Sequence, residues 1–202
     1  MMITVPGLAL VLTLVWIVAV AGIRGVIGYR RTGGVGIRGR DRPGTPQWWA
    51  RLLSVIGVIL AIAAPVAALN GFEPWVALDH TAVHVGGGAL VALGIVGTLV
   101  SQWAMGDAWR GDVDPEARTE LVTTGPFRFV RNPIFTATAA TAFGLALLVP
   151  NVLALGMLVA FLLSLQIQVR LVEEPYLRRV HGDAYRTYAE RTGRFLPRIR
   201  RG

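Results

Sequence analysis

The 202-residue sequence contains no cysteine, which excludes disulfides, thiol catalysis and thiolate metal sites. It also contains no lysine: all twenty basic residues are arginine. Arginine suits bidentate contacts with carboxylates and phosphates, although its uniform use along the chain reads as compositional bias rather than as a site. Charge of either sign is scarce, at 16% of residues, where an ordinary soluble domain carries about a quarter. No Arg or Lys precedes the first apolar run, and a secretory signal peptide needs a positive n-region. That run is therefore expected to be a retained helix with its N-terminus outside. The chain has neither an internal repeat nor a low-complexity tract.

What the sequence does have is long apolar runs. Residues 3–23, 52–70 and 85–106 are each free of charge, and each is near the roughly 20 residues that cross a hydrocarbon core as a helix. Two more runs, 133–149 and 150–169, are separated only by the turn signal Val149-Pro150-Asn151. The arginines divide among the connections: seven in 24–51, none in 71–81, four in 107–131 and nine from Arg170 onward. If every run crosses once, all of them fall on one side, which the positive-inside rule assigns to the cytoplasm. The expectation is an all-α polytopic bundle of five crossings in one membrane domain over 1–202. Within it, residues 1–100 supply three helices, and a core of 101–202 ends in a tight helix hairpin and a cytoplasmic helical cap. The net charge of +8 then reflects topology and anionic headgroups rather than nucleic acid.

Local signals refine this picture. The stretch 24–51 reads as a basic cytoplasmic loop. The run from Ile134 to Val149 has 16 residues, about 24 Å as helix, and is rich in Ala, Thr and Gly, which favours close helix packing over room for a ligand. Pro175 should bend the helix leaving the membrane, and Gly182-Asp183 should break the cap into two helices, the second capped by Asp183. His80 and His84 share a helix face but lack an evident third ligand, so no metal site is expected.

The chemistry gathers at the cytoplasmic ends of the last two runs. In GPFRFVRNPIFT, from Gly125 to Thr136, a Gly-Pro step turns the chain, and Asn132-Pro133 launches the next helix. The free amides of that helix start, with Arg128 and Arg131, would form an anion-binding corner. Further on, Arg170 and Glu174 lie four apart on one helical face at the end of an apolar run, where ionisable groups are costly and face a cavity or partner. A positive-inside flank with surface ion pairs accounts equally well for these residues on spacing alone.

GPFRFVRNPIFT resembles the GPYRYVRHPxYxG motif of the isoprenylcysteine carboxyl methyltransferase family and its bacterial relatives, which include phospholipid methyltransferases. Three more segments agree in order: SQWAMGDAWRG (101–111), RLVEEPYL (170–177) and HGDAYRTYAERTGRFLP (181–197). The last is similar to FGxxYxxYxxxxxRxLP. This resemblance implies an integral membrane enzyme, in a bacterial cytoplasmic membrane, that uses S-adenosylmethionine at its cytoplasmic end. A lipophilic acceptor, lipid, isoprenoid or lipophilic acid, would enter from the bilayer. By match, Gly125, Pro126, Phe127, Arg131, Asn132, Phe135, Glu173, Glu174, Tyr185 and Tyr188 fall on cofactor-pocket positions, with Gln102 lining the same pocket. Arg131 or Arg170 would orient the acceptor, and Glu174 would serve the cofactor. Two residues depart from the motif: Asn132 stands where the family has histidine and Phe135 where it has tyrosine, so no titrating base is expected at 132. Two other readings stay open at this stage, an NADPH-dependent membrane reductase of the sterol type and a non-catalytic lipid-binding protein on the same scaffold.

Overall fold

A computed structural model describes residues 4–32, 42–105 and 121–198, with side chains from 4–20, 42–105 and 121–198. Among the described residues six α-helices carry the fold: α1 (Val5–Thr32), α2 (Pro46–Leu69), α3 (Thr81–Met105), α4 (Pro133–Leu148), α5 (Val152–Ile167) and α6 (Glu174–Arg191). Short 3-10 turns occupy Val76–Leu78 and Gly125–Arg128, and a π-helical turn, Gln168–Glu173, joins α5 to α6. Among the described residues no strand is present; a single parallel bridge pairs Val130 with Gly193. The all-α expectation is met.

The helix boundaries follow from local chemistry. The Thr45 hydroxyl accepts from the Trp48 amide, and Pro46 fills the first position of α2, where its missing N–H costs nothing. Asn151 caps α5 by accepting from the Ala154 amide at 2.9 Å, and its Nδ2 donates to the Ala64 carbonyl of α2 at 3.3 Å. The turn between α4 and α5 is thus the one expected at Val149-Pro150-Asn151. It also accepts the Trp75 amide at the Pro150 carbonyl, 2.7 Å away, which ties in the connection between α2 and α3.

Long apolar helices with exposed Val11, Val18, Ile59, Val85, Leu93, Val96 and Leu163 make this an integral membrane protein. By length and composition three stretches can cross a membrane: α2, α3 and the continuous Val152–Arg191, whose apolar part is α5. Val5–Val20 and Pro133–Leu148 are shorter apolar helices. The helices pack in pairs, α3 on α4 and α2 on α5, with α4 and α5 as an antiparallel hairpin. Trp16 meets Phe161 edge to face at 5.3 Å between centroids, and Val91, Leu145, Leu148 and Met157 complete the core. Ser164 ties α5 to α2 by bonding to the Ala50 carbonyl and the Ser54 hydroxyl, both at 2.7 Å.

The α3–α4 interface is built from missing side chains. A Cβ placed on Gly144 would lie 2.5 Å from the Gly87 carbonyl, and one on Gly87 would lie 2.8 Å from the Gly144 carbonyl. A Cβ on Gly94 would overlap the Thr141 hydroxyl and come within 2.7 Å of the Ala137 carbonyl. The small residues of α4 therefore serve close packing, as small-xxx-small helix contacts do in membranes.

Two expectations need correction. The basic stretch 24–51 is not one loop. α1 continues to Thr32, and α2 already begins at Pro46, because arginine is a good helix former and no proline intervenes before Pro43. Residues 33–41 of that stretch, like 106–111 of the SQWAMGDAWRG segment, lie outside the described residues. The second correction concerns Pro175. The expected bend appears as the π-turn before it, in which the Glu174 amide bonds five residues back to the Val169 carbonyl. Widening the turn absorbs the proline that cannot take its place in an α-helical ladder. Gly182 does interrupt α6, at φ 53° and ψ −123°, a conformation that costs a residue with a Cβ.

Candidate functional site

The Gly125–Arg128 turn, the start of α4, the start of α6 and the segment 192–195 converge on one carboxylate. Glu174 opens α6 directly after the π-turn Gln168–Glu173, and it is itself 4% exposed. Its Oε1 accepts from Arg131 at 2.9 Å and from Arg194 Nε at 2.7 Å, while Oε2 accepts from Arg194 at 2.8 Å. Arg178 approaches Oε2 at 3.7 Å. Burial alone would push this carboxyl upward, but the hydrogen bonds from Arg194 and Arg131 outweigh it and hold the pKa below the ordinary glutamate value. The same bond raises the Arg194 guanidinium. Glu174 lies beyond the apolar part of the α5–α6 rod, in the polar cap.

Arg131 is committed to the junction. Its NH1 donates to the carbonyls of Ala189 and Thr192 at 2.8 and 2.7 Å, in addition to the Glu174 bond. Its amide bonds to the Gly193 carbonyl at 2.8 Å, and the Asn132 amide and side chain bond to the Arg194 carbonyl at 3.2 and 3.1 Å. Thr136 adds a bond to the Phe195 carbonyl at 2.9 Å. The expected anion-binding corner at the start of α4 is therefore lined by the chain's own carbonyls from 193–195, which already take up the Arg131 and Asn132 amides.

The remaining expected residues sort by place. Phe127 and Tyr185 are buried, and the Tyr188 hydroxyl donates to the Phe127 carbonyl at 2.6 Å. Burial pushes Tyr188 up to about 12, so its hydroxyl is a donor and not a base. Gly125, at φ 57°, backs onto Ala104 of α3, where a Cβ would meet the alanine methyl at 3.3 Å; Pro126 follows it in the turn. Gln102 is 4% exposed on α3, and its Oε1 meets no donor among the described residues. Phe135 is half-buried on the first turn of α4, and Glu173 accepts from Gln168 at 3.3 Å. Arg170 is exposed and bonded to Gln166 at 2.7 Å, outside the Glu174 cluster. The four-residue spacing does not pair Arg170 with Glu174: Arg170 bonds to Gln166, and Glu174 is held by Arg131 and Arg194 from other segments.

Arg194 is the residue that the sequence reading left out. Its signal was present, as the arginine of the RxLP ending in the 181–197 segment. At the opposite end of α3, His84 Nε2 lies 3.2 Å from Asp79.

The profile of the phospholipid methyltransferase family matches residues 82–184, a stretch that holds α3, α4, α5 and most of α6. The chain is 27% identical over 146 residues to the nickel-cobalt-cadmium resistance protein NccN of Alcaligenes xylosoxydans xylosoxydans. That alignment covers 72% of this chain and 62% of the relative, so the chain spans less than two thirds of that protein.

Proposed function

Because this chain belongs to the phospholipid methyltransferase family, a membrane methyltransferase family, we propose that it uses S-adenosylmethionine to methylate a lipophilic acceptor at the cytoplasmic face of a bacterial membrane. The observation that carries this reading is the meeting of three separated motif segments on the buried Glu174. In this reading the chain is one membrane domain over 1–202, crosses five times, and has its N-terminus outside and its C-terminus in the cytoplasm.

The residues present suit such a cofactor. Gln102 Oε1 is a buried acceptor with capacity for an amino or ammonium donor, and Glu174 Oε2 retains a lone pair after its Arg194 bond. In this reading the turn of Gly125, Pro126 and Phe127, which packs against α3, would form one wall of the pocket, and Asn132, Phe135, Tyr185, Tyr188 and Glu173 would supply the rest. When bound, the cofactor supplies an electrophilic methyl group on a sulfonium. The chain's part is positioning, which can supply most of the gain when the nucleophile is already anionic. Arg131, with three of its donors spent, holds Glu174 and the strap 192–195 in place. Arg170, exposed and using one recorded nitrogen, is the arginine free to orient an acceptor arriving from the bilayer.

The test is calorimetry of S-adenosylhomocysteine on the purified full chain, with NADPH as a parallel ligand. S-adenosylhomocysteine is expected to bind and NADPH is not. Gln102→Ala should weaken binding about tenfold, as expected for removing a buried hydrogen-bonding group, and Glu174→Ala should abolish it. Absence of binding at millimolar S-adenosylhomocysteine, or preference for NADPH, sinks the proposal.

A further inference from the structure

A cleft of about 440 Å³ opens on the outer side of the cap, lined by Arg131, Arg178, Gly182, Arg186, Glu190 and Arg198 together with Ala189. Four guanidinium groups face it against one carboxylate, a strongly unbalanced lining in a chain so poor in charge. The neighbours restore the balance only in part: Arg131 pairs with Glu174 at 2.9 Å, a carboxylate that Arg194 also uses. Arg178 makes only the long 3.7 Å approach to Glu174 and is 66% exposed. Arg186 pairs with the exposed Asp183 at 3.2 Å through one nitrogen. Arg198 bonds to a backbone carbonyl, that of Glu190, which carries no neutralising charge. Arg131 Nε is buried and meets no acceptor among the described residues. Each guanidinium brings five donors and no acceptor, so this wall offers a surplus of N–H groups and little to receive them.

The shape of α6 produces the cleft. Gly182 breaks the helix at φ 53°, and a Cβ there would meet nothing within 4 Å. The two halves carry Arg178 and Arg186 respectively, while the segment after α6 brings Arg198 back to the same opening. Volumes of 300–1,000 Å³ hold small ligands, and converging arginines are the usual means of gripping phosphate oxygens bidentately.

We propose that this cleft binds a phosphate group, either the headgroup phosphate of an anionic lipid or that of a soluble phosphate compound. The site stands beside the Glu174 junction and shares Arg131, Arg178 and the Ala189 backbone with it; the ligand it would take goes beyond the methyl-transfer reading and does not rest on it. Its occupant would add counter-charge to the arginines.

The experiment uses the purified full chain in neutral detergent. Two probes are titrated calorimetrically: inorganic pyrophosphate and dioctanoyl phosphatidic acid, with dioctanoyl phosphatidylcholine as the zwitterionic reference. Arg178→Gln with Arg186→Gln removes two cleft arginines and leaves Arg131 in place. Arg128→Gln with Arg179→Gln removes the same charge from outside the cleft. The cleft pair is expected to lose about tenfold or more in affinity, the scale set by loss of charge-assisted contacts, while the control pair stays within about twofold. Thermal unfolding of both variants confirms that each is folded. Binding of phosphatidic acid alone assigns the site to a lipid headgroup, and binding of both probes assigns it to the phosphate group as such. Failure of both probes, or an equal loss in the two variant pairs, overturns the proposal.

Discussion

The α3–α4 interface and the Glu174 junction are both tight, yet they are held by opposite means. In the membrane, Gly87, Gly94 and Gly144 remove their side chains so that backbones touch. Lipid tails are as apolar as leucine, so burial gives no drive to associate there, and contact area from close approach replaces it. In the cap, Arg131 and Arg194 wrap a carboxylate, and its burial is tolerated because both of its oxygens accept from guanidinium groups. One region gains stability from what is absent, the other from groups that cannot be removed singly.

That contrast can be broken from either side. The largest effect is expected for Glu174→Gln, which leaves two arginines facing a neutral amide. It should cost about 3–5 kcal/mol, the range for breaking a buried pair by removing one partner, read as a drop in thermal midpoint in detergent. Gly94→Ala comes next, at about 3 kcal/mol for overpacking, and its loss should not depend on pH. The pH profile separates the two regions. Glu174 is depressed when folded, so its contribution is full above the ordinary value of 4.5 and is lost as pH falls below that value through the folded pKa. Between pH 7 and 3 the difference between wild type and Glu174→Gln should therefore shrink, while the Gly94→Ala difference stays level. A gap that did not narrow at all below pH 4.5 would show that Glu174 does not act through its charge. The smallest effect belongs to Asp183→Ala, whose ion pair with Arg186 is exposed on both sides; it should shift stability by no more than about 0.5 kcal/mol.

The sequence revealed these regions unequally. Turn chemistry at Asn132-Pro133 and Val149-Pro150-Asn151 acts locally, so the starts of α4 and α5 were legible, whereas the start of α2 at Thr45-Pro46 fell inside the stretch read as a basic loop. The break at Gly182 was legible in the same local way. The α3–α4 interface was legible on one helix only: the small residues of α4 stood out, whereas Gly87 and Gly94 acquire meaning only opposite Gly144 and Thr141. At the site, the residue types were readable and their partners were not. Glu174 meets Arg194 across 20 residues and Arg131 across 43, separations that no helical period encodes. The Arg170–Glu174 spacing misled for the same reason, since a helical period carries no mark of partners supplied by other segments.

The π-turn between α5 and α6 has a consequence for the whole cap. α5 and α6 form one continuous rod, and a π-turn amounts to an extra residue accommodated within an α-helix. Each residue of an α-helix advances the side-chain direction by about 100°. The six residues Gln168–Glu173 thus act as a phase setting between the lipid-embedded half of the rod and its aqueous half. Shortening the segment by one residue would leave every side chain of the cap intact and point it in the wrong direction, so the aim of Glu174 at its two arginines depends on chain length here as much as on sequence.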